Sequence, residues 1–260
     1  MTSRVASGQA GAFLALWNSI DSPARQAEYE TWHSFEHVPE RVGLPGFIAA
    51  HRYRALAPQG PHKPAYFTWY ELASRQALAS PAYRDVVDHP TPWSARMRGA
   101  LRDFHRLPCD AQGCHGAPTG RYVMALHLHA PLGAAASVAP ALAAALKEAV
   151  DQGNLLRVQW GQGHAGDDFP LANTGQAGTP NTPSAEWVAL LHHLDAPALE
   201  AACAALLAKL PPTLQIARAS VVHELLTSVR QADLPSPPNG SPHGRQPPRT
   251  DWMARFADQP

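Results

Sequence analysis

Apolar and polar positions alternate along this chain in short blocks, and the blocks predict strands and helices in a repeating order. Residues 12–18 read as a strand, and a helix follows from Asp21 or Ser22, both good N-caps, with Pro23 allowed in its first turn. That helix should stop near His37, because Pro39 disfavours helical geometry in the residue before it. Residues 47–56 and 65–72 read as strands separated by the turn-rich Ala-Pro-Gln-Gly-Pro-His-Lys-Pro of 57–64. A helix over 75–87, interrupted at Pro81, a short helix over 94–101 and a strand over 102–107 complete the order β-α-β-β-α-β.

A stretch rich in Gly, Pro and small residues, 108–120, reads as a linker, and the order then repeats. Residues 121–129 alternate as a half-buried strand does. An alanine-rich helix over 137–150 and strands over 155–161 and 186–194 follow. A helix over 196–210 and a strand over 213–227, bent midway, close the second half. Two segments depart from this pattern. Residues 161–184 are a long Gly, Asn, Asp and Pro-rich insertion, functional or mobile. Residues 228–260 are proline-rich from Leu234 to Pro248 and are expected to form a disordered tail.

The densest chemistry lies in residues 30–47, Glu-Thr-Trp-His-Ser-Phe-Glu-His-Val-Pro-Glu-Arg-Val-Gly-Leu-Pro-Gly-Phe. Spacings of three and four place Tyr29, Trp32, His33, Glu36 and His37 over neighbouring helical turns. A histidine in the last turn of a helix sits near the negative end of the dipole, which favours its protonated form. His37 therefore reads either as a proton carrier or as a plain C-terminal capping donor.

Trp32-x-x-x-Glu36-His-Val-Pro-Glu-Arg41, then Leu44-Pro-Gly-Phe47 and the strand His51-Arg-Tyr-Arg54, resembles the EthD-like branch of the dimeric α+β barrel superfamily. Tyr66-Phe-Thr-Trp-Tyr-Glu-Leu72, Ser80-Pro-Ala-Tyr83 and Pro90-Thr-Pro-Trp93 extend the resemblance over roughly residues 12–108. It implies an α+β fold built on a ferredoxin-like unit whose sheet pairs with a second sheet to form a barrel. We expect two such repeats in one chain, the first, 12–107, carrying the site and the second, 121–227, a degenerate copy. The physical motive is that a sheet with helices on one face needs cover on the other.

Composition narrows the class further. The 260 residues carry 21 Lys plus Arg against 21 Asp plus Glu, so electrostatic capture of nucleic acid or anionic membrane is not expected. No apolar run approaches the roughly 20 residues of a membrane span, and the first ten residues lack the apolar core of a signal peptide. Three cysteines, Cys109, Cys114 and Cys203, suit a cytoplasmic protein with reduced thiols.

His33-Ser-Phe-Glu-His37 fits the H-x-x-E-H zinc pattern, but no downstream acidic ligand is identifiable and Pro39 follows at once, so no metal is expected. No nucleophile elbow is present, and no phosphate-binding glycine loop opens a helix, so no nucleotide cofactor is expected either. The residues left describe an acid–base site. The resemblance implies a pocket against the sheet beneath the helices, with His37 pointing into it. His37 is the expected general acid or base, with Glu36 or Tyr29 to orient it. His51 and Tyr53, on one strand face, form a second acid–base pair. Tyr29, Trp32, His33, Tyr70 and Trp93 are expected to line the pocket, with Arg52 orienting a carboxylate or enolate.

Together these residues describe a cofactor-independent enzyme of lyase or isomerase type, monomeric or homodimeric. Its expected substrate is a small carbonyl-bearing aromatic or alicyclic catabolic intermediate. A cofactor-free monooxygenase and a non-catalytic or stress-related binder of hydrophobic ligands are the alternatives.

Overall fold

The computed structural model describes residues 10–57, 65–164, 184–218 and 220–257. The 161–184 insertion therefore falls largely outside the described residues. In the first half, β1 (Ala12–Ile20) pairs antiparallel with β3 (Tyr66–Leu72) and β4 (Leu101–His115), and β3 pairs with β2 (Phe47–Ala55). In the second half, β5 (Tyr122–Pro131) and β6 (Arg157–Gly163) flank β7 (Ser184–His193). Two seams join the halves: β4 with β6, and β2 with β9 (Val222–Arg230), which also pairs with β5. Eight antiparallel strands thus close in the order β1-β3-β2-β9-β5-β7-β6-β4, leaving no free edge in the ring. A short β8 (Gln215–Arg218) extends the pairing along β5, so the bent strand expected over 213–227 is two strands.

The helices lie outside the barrel. Over the first half run α1 (Gln26–Trp32), a π turn (His33–His37), α2 (Val38–Val42), α3 (Pro81–Asp88) and α4 (Pro92–Arg98). Over the second half run α5 (Ala135–Asp151) and α6 (Ala196–Lys209). Each half therefore carries helices on its outer face and turns its inner face to the other half. The chain is a mixed α+β fold in which one polypeptide closes the barrel.

Strand alternation sorts the side chains between these layers. Phe13, Ala15, Trp17, Tyr53, Phe67, Trp69, Leu107 and Cys109 meet Val123, Ala125, Val188 and Leu190 inside the barrel. Ala12, Leu14, Phe47, Tyr70 and Leu72 face the other way and pack under Val38, Val42, Tyr83 and Val86. Gly161 and Gly163 of β6 are part of this packing. A Cβ at Gly161 would fall 2.6 Å from Phe13 Cε1, and one at Gly163 2.8 Å from Leu107 Cδ2.

Several expectations are corrected. The 108–120 linker is mostly strand, because β4 runs on to His115 and hydrogen-bonds along β6. The helix over 75–87 splits into a 3₁₀ turn (Arg75–Ala79) and α3, which starts at Pro81 with the Ser80 hydroxyl accepting from Tyr83 N–H. The helix holding His37 runs past it. Residues 132–151 form a helix long and apolar enough, by length and composition alone, to cross a membrane. One of its faces (Val138, Leu142, Ala145, Leu146 and Ala149) is buried on the second sheet. The expected disordered tail is packed in its described part. It leaves β9, crosses the first half and forms α7 (Thr250–Met253), with Trp252 stacked on Phe35 at 4.1 Å and Arg245 bonded to Glu40 at 2.7 Å.

Candidate active site

The site begins with an irregularity in a helix. A proline inside a helix lacks a donor and crowds the carbonyl four residues back. Here Pro39 is accommodated because the chain widens into a π turn over His33–His37, with Val38 N–H bonding to His33 C=O, before α2 resumes. Such turns recur at functional sites. Continuation of the helix puts His33, His37 and Arg41 over successive turns on one face, toward the sheet.

That face roofs a pocket of about 590 Å³, counting its mouth. Its floor is the outer face of β1, β2, β3 and β4, through Leu14, Leu16, Phe47, Tyr70, Phe104 and Arg106. Tyr83 and Val87 of α3, with Arg98 at the end of α4, form one wall, and Trp32 closes the other. The His33 and His37 rings lie 4.7 Å apart, and Trp32 stands 4.4 Å from His37. Nδ1 of both imidazoles and Oη of Tyr70 are buried and make no hydrogen bond. Burial is the main cause that pushes both histidines well below the ordinary imidazole pKa. Nearby guanidinium groups add to it, Arg52 and Arg41 for His33, Arg41 and Arg98 for His37. At neutral pH both rings are therefore neutral. This reverses the expectation from the helix dipole, which fails because His37 is not at a helix end.

Four of the expected residues, Trp32, His33, His37 and Tyr70, meet at this pocket. The others lie elsewhere. Glu36 points away from the two histidines: its carboxylate accepts from Thr91 Oγ1 at 2.5 Å and from the Arg249 backbone N–H at 2.6 Å. Among the described residues, no group of three His, Cys, Asp or Glu side chains is placed to share a metal ion. Tyr29 is buried behind the pocket, donating to Asn18 Oδ1 at 3.0 Å. Trp93 Nε1 donates to Glu28 at 3.0 Å, which ties α4 to α1. Arg52 is buried one layer back, donating to Ser34 Oγ at 2.7 Å and lying 5.6 Å from the Tyr29 ring. It reaches the pocket through its field alone.

His51 and Tyr53 face the barrel interior, on the opposite side of the sheet from His37. His51 Nδ1 shares a 3.0 Å hydrogen bond with Ser228, and its Nε2 is 3.7 Å from Glu71. Burial, with the Glu71 charge second, raises the Tyr53 pKa far above that of a free phenol, so it is no base at neutral pH. Strand alternation had paired the two correctly but does not say which face of a closed sheet meets solvent or ligand.

Arg41, Arg98 and Arg106 line the pocket and were not expected from the sequence. For Arg41 the signal was present: it stands four residues after His37, on the same face of any helix that continues. Arg98 and Arg106 come from a helix end and a strand whose pattern gives no hint of a shared cavity.

No protein-family model matches the chain, and no curated protein sequence matches it. Solved structures do share its shape. One described as an "anthrone oxidase-like protein" superposes with a TM-score of 0.54 at 9% identity, covering 85% of this chain and 93% of that one. A "putative monooxygenase" from Lactobacillus acidophilus gives 0.50 at 11% identity, covering 86% of this chain and 97% of that one. At such identities the likeness concerns architecture, and with the closed eight-stranded ring it makes this chain a dimeric-type α+β barrel completed within one polypeptide.

Proposed function

We propose that the pocket under the π turn is the active site of a cofactor-independent acid–base catalyst acting on a small carbonyl-bearing ring compound. The observation that carries this reading is the pair of neutral imidazoles of His33 and His37, each with a buried, unpartnered Nδ1, at an otherwise largely apolar pocket. The resemblance of residues 30–54 to the EthD-like branch agrees with it.

In this reading His37 is the base. A neutral imidazole accepts the proton of a carbon next to the carbonyl, the C–H electron pair moves into the C–O unit as an enolate, and the proton stays on His37. Return of that proton to a different carbon is isomerisation. Ring closure is attack of that enolate carbon on a second carbonyl of the same molecule, whose oxygen takes the proton from His37; a β-keto acid reaches the enolate instead by losing CO2, and a proton from solvent then quenches it. Its low pKa keeps His37 unprotonated at neutral pH, as a base must be. Trp32 and the apolar floor select a flat ring. Glu36, Trp93 and Tyr29 hold the helices in place.

Deuterium uptake at the α-carbon of a panel of aromatic and alicyclic carbonyl compounds in D2O tests this. The wild-type protein should catalyse exchange with at least one compound, and His37→Gln should lose it. Tight binding without exchange across the panel would favour a ligand carrier. Oxygen uptake alongside exchange would place the carbanion in an oxygenase reaction.

A further inference from the structure

We propose that the natural ligand of this pocket is an anion, a ring compound bearing a carboxylate, and that Arg41 and Arg98 receive it. The proposal rests on the site reading above and adds a substrate class to it. The first observation is a charge imbalance at the pocket wall. The guanidinium groups of Arg41 and Arg98 line it, and no carboxylate is among its lining residues. The two histidines stay neutral, so they add no charge but also cancel none.

The acidic residues of the same helix are engaged elsewhere. Glu36 is held by Thr91 and the Arg249 backbone. Glu40 lies behind Arg41 at 3.0 Å and is shared with Arg245 of the tail at 2.7 Å, which Asp85 also approaches at 3.5 Å.

The second observation is unused hydrogen-bonding capacity at the same place. Arg98 donates to the carbonyls of Val87 and Val86 at 2.8 and 3.2 Å, both neutral acceptors, and its buried Nε has no partner. Arg41 and Arg98 line the same pocket, and burial and the charge of Arg41 both work against the Arg98 cation. Tyr70, only 1% exposed, lines the pocket with an unpartnered hydroxyl. Cations and donors in apolar surroundings without acceptors are costly. A carboxylate supplies both the charge and the acceptors, in the planar form a guanidinium fork matches. The apolar floor then holds the ring, and His37 faces it.

The test compares two probes of nearly equal shape, 2-naphthoate and 2-naphthamide, by calorimetric titration of the full-length protein. The carboxylate should bind tighter by on the order of tenfold to a hundredfold, the range for a hydrogen bond to a charged group. Arg98→Met and Arg41→Met, made separately, should each reduce that preference while leaving naphthamide affinity unchanged. Equal affinities in the wild type, or a preference untouched in both variants, would overturn the proposal. His37→Gln should keep the naphthoate preference. A preserved preference with no deuterium exchange by any compound would leave the anion site standing and remove the catalytic reading.

Discussion

The two halves of the barrel follow one element order and treat their helix layers in opposite ways. Over the second half, α5 and α6 bury Val138, Leu142, Leu146, Leu199, Cys203 and Leu206 against the sheet, and their interface holds no buried charged residue. Over the first half, the corresponding layer buries Glu28, His33, Glu36, Glu40, Arg41, Arg52, Thr91 and Ser94. Buried polar groups are costly unless satisfied, and in the first half most are: Glu28, Glu36 and Glu40 each have partners on another element. Nδ1 of His33, Nδ1 of His37 and Oη of Tyr70, which share the pocket, are among the exceptions, as is Nη2 of Arg52 behind them. The helix layer of one half is apolar, and that of the other carries polar and charged groups beside a pocket.

The sharpest break between the halves is expected at His37. His37→Gln should lower turnover by about 10²–10⁴-fold, the usual contribution of a positioned base, with an unchanged circular dichroism spectrum. His33→Phe should cost less. A dead His33 variant beside an active His37 variant would reverse the roles.

In the second half, removing bulk should act on stability alone. Leu146→Ala, at a site with no exposure, should destabilise by roughly 2–5 kcal/mol in urea titrations, leaving per-molecule activity intact below the melting transition.

The barrel interior shared by both halves should show as acid sensitivity. His105 and His192 are pushed from 6.5 down to about 3, chiefly by burial. Between pH 6.5 and 3 the unfolded chain binds protons that the folded chain refuses, so this stability is complete above 6.5 and is lost as pH falls. The slope should be about 1.4 kcal/mol per pH unit for each histidine. His192→Leu should flatten it, as followed by melting temperature against pH.

The smallest effect is expected at the tail. Arg245→Met removes one of two cations on Glu40 and should cost about 1 kcal/mol. The loss should be read as a small drop in melting temperature, with the fold otherwise intact.

Much of this fold was legible because strand and helix periodicities survive in short windows. The faces of β1, β2 and β3 and the places of α5 and α6 follow from alternation and from alanine-rich runs. What was not legible depended on partners far away in sequence. Pro39 looked like a helix end because its remedy, a π turn, has no local signature. His51 and Tyr53 looked like pocket residues because a strand does not record which side of a closed ring it faces. The segment after Leu234 looked unable to pack by itself, and it does not: it packs on Phe35, Glu36 and Glu40.

That last arrangement has a consequence for biosynthesis. The carboxylate of Glu36 meets the backbone of Arg249, 213 positions later in the chain. At translation rates of about 5–20 residues per second, the helix bearing His33 and His37 emerges roughly 10–40 seconds before the segment that clasps it. During that interval the polar groups of the first half lack their last partners, and the half-made protein is at its most exposed to chaperones and proteases.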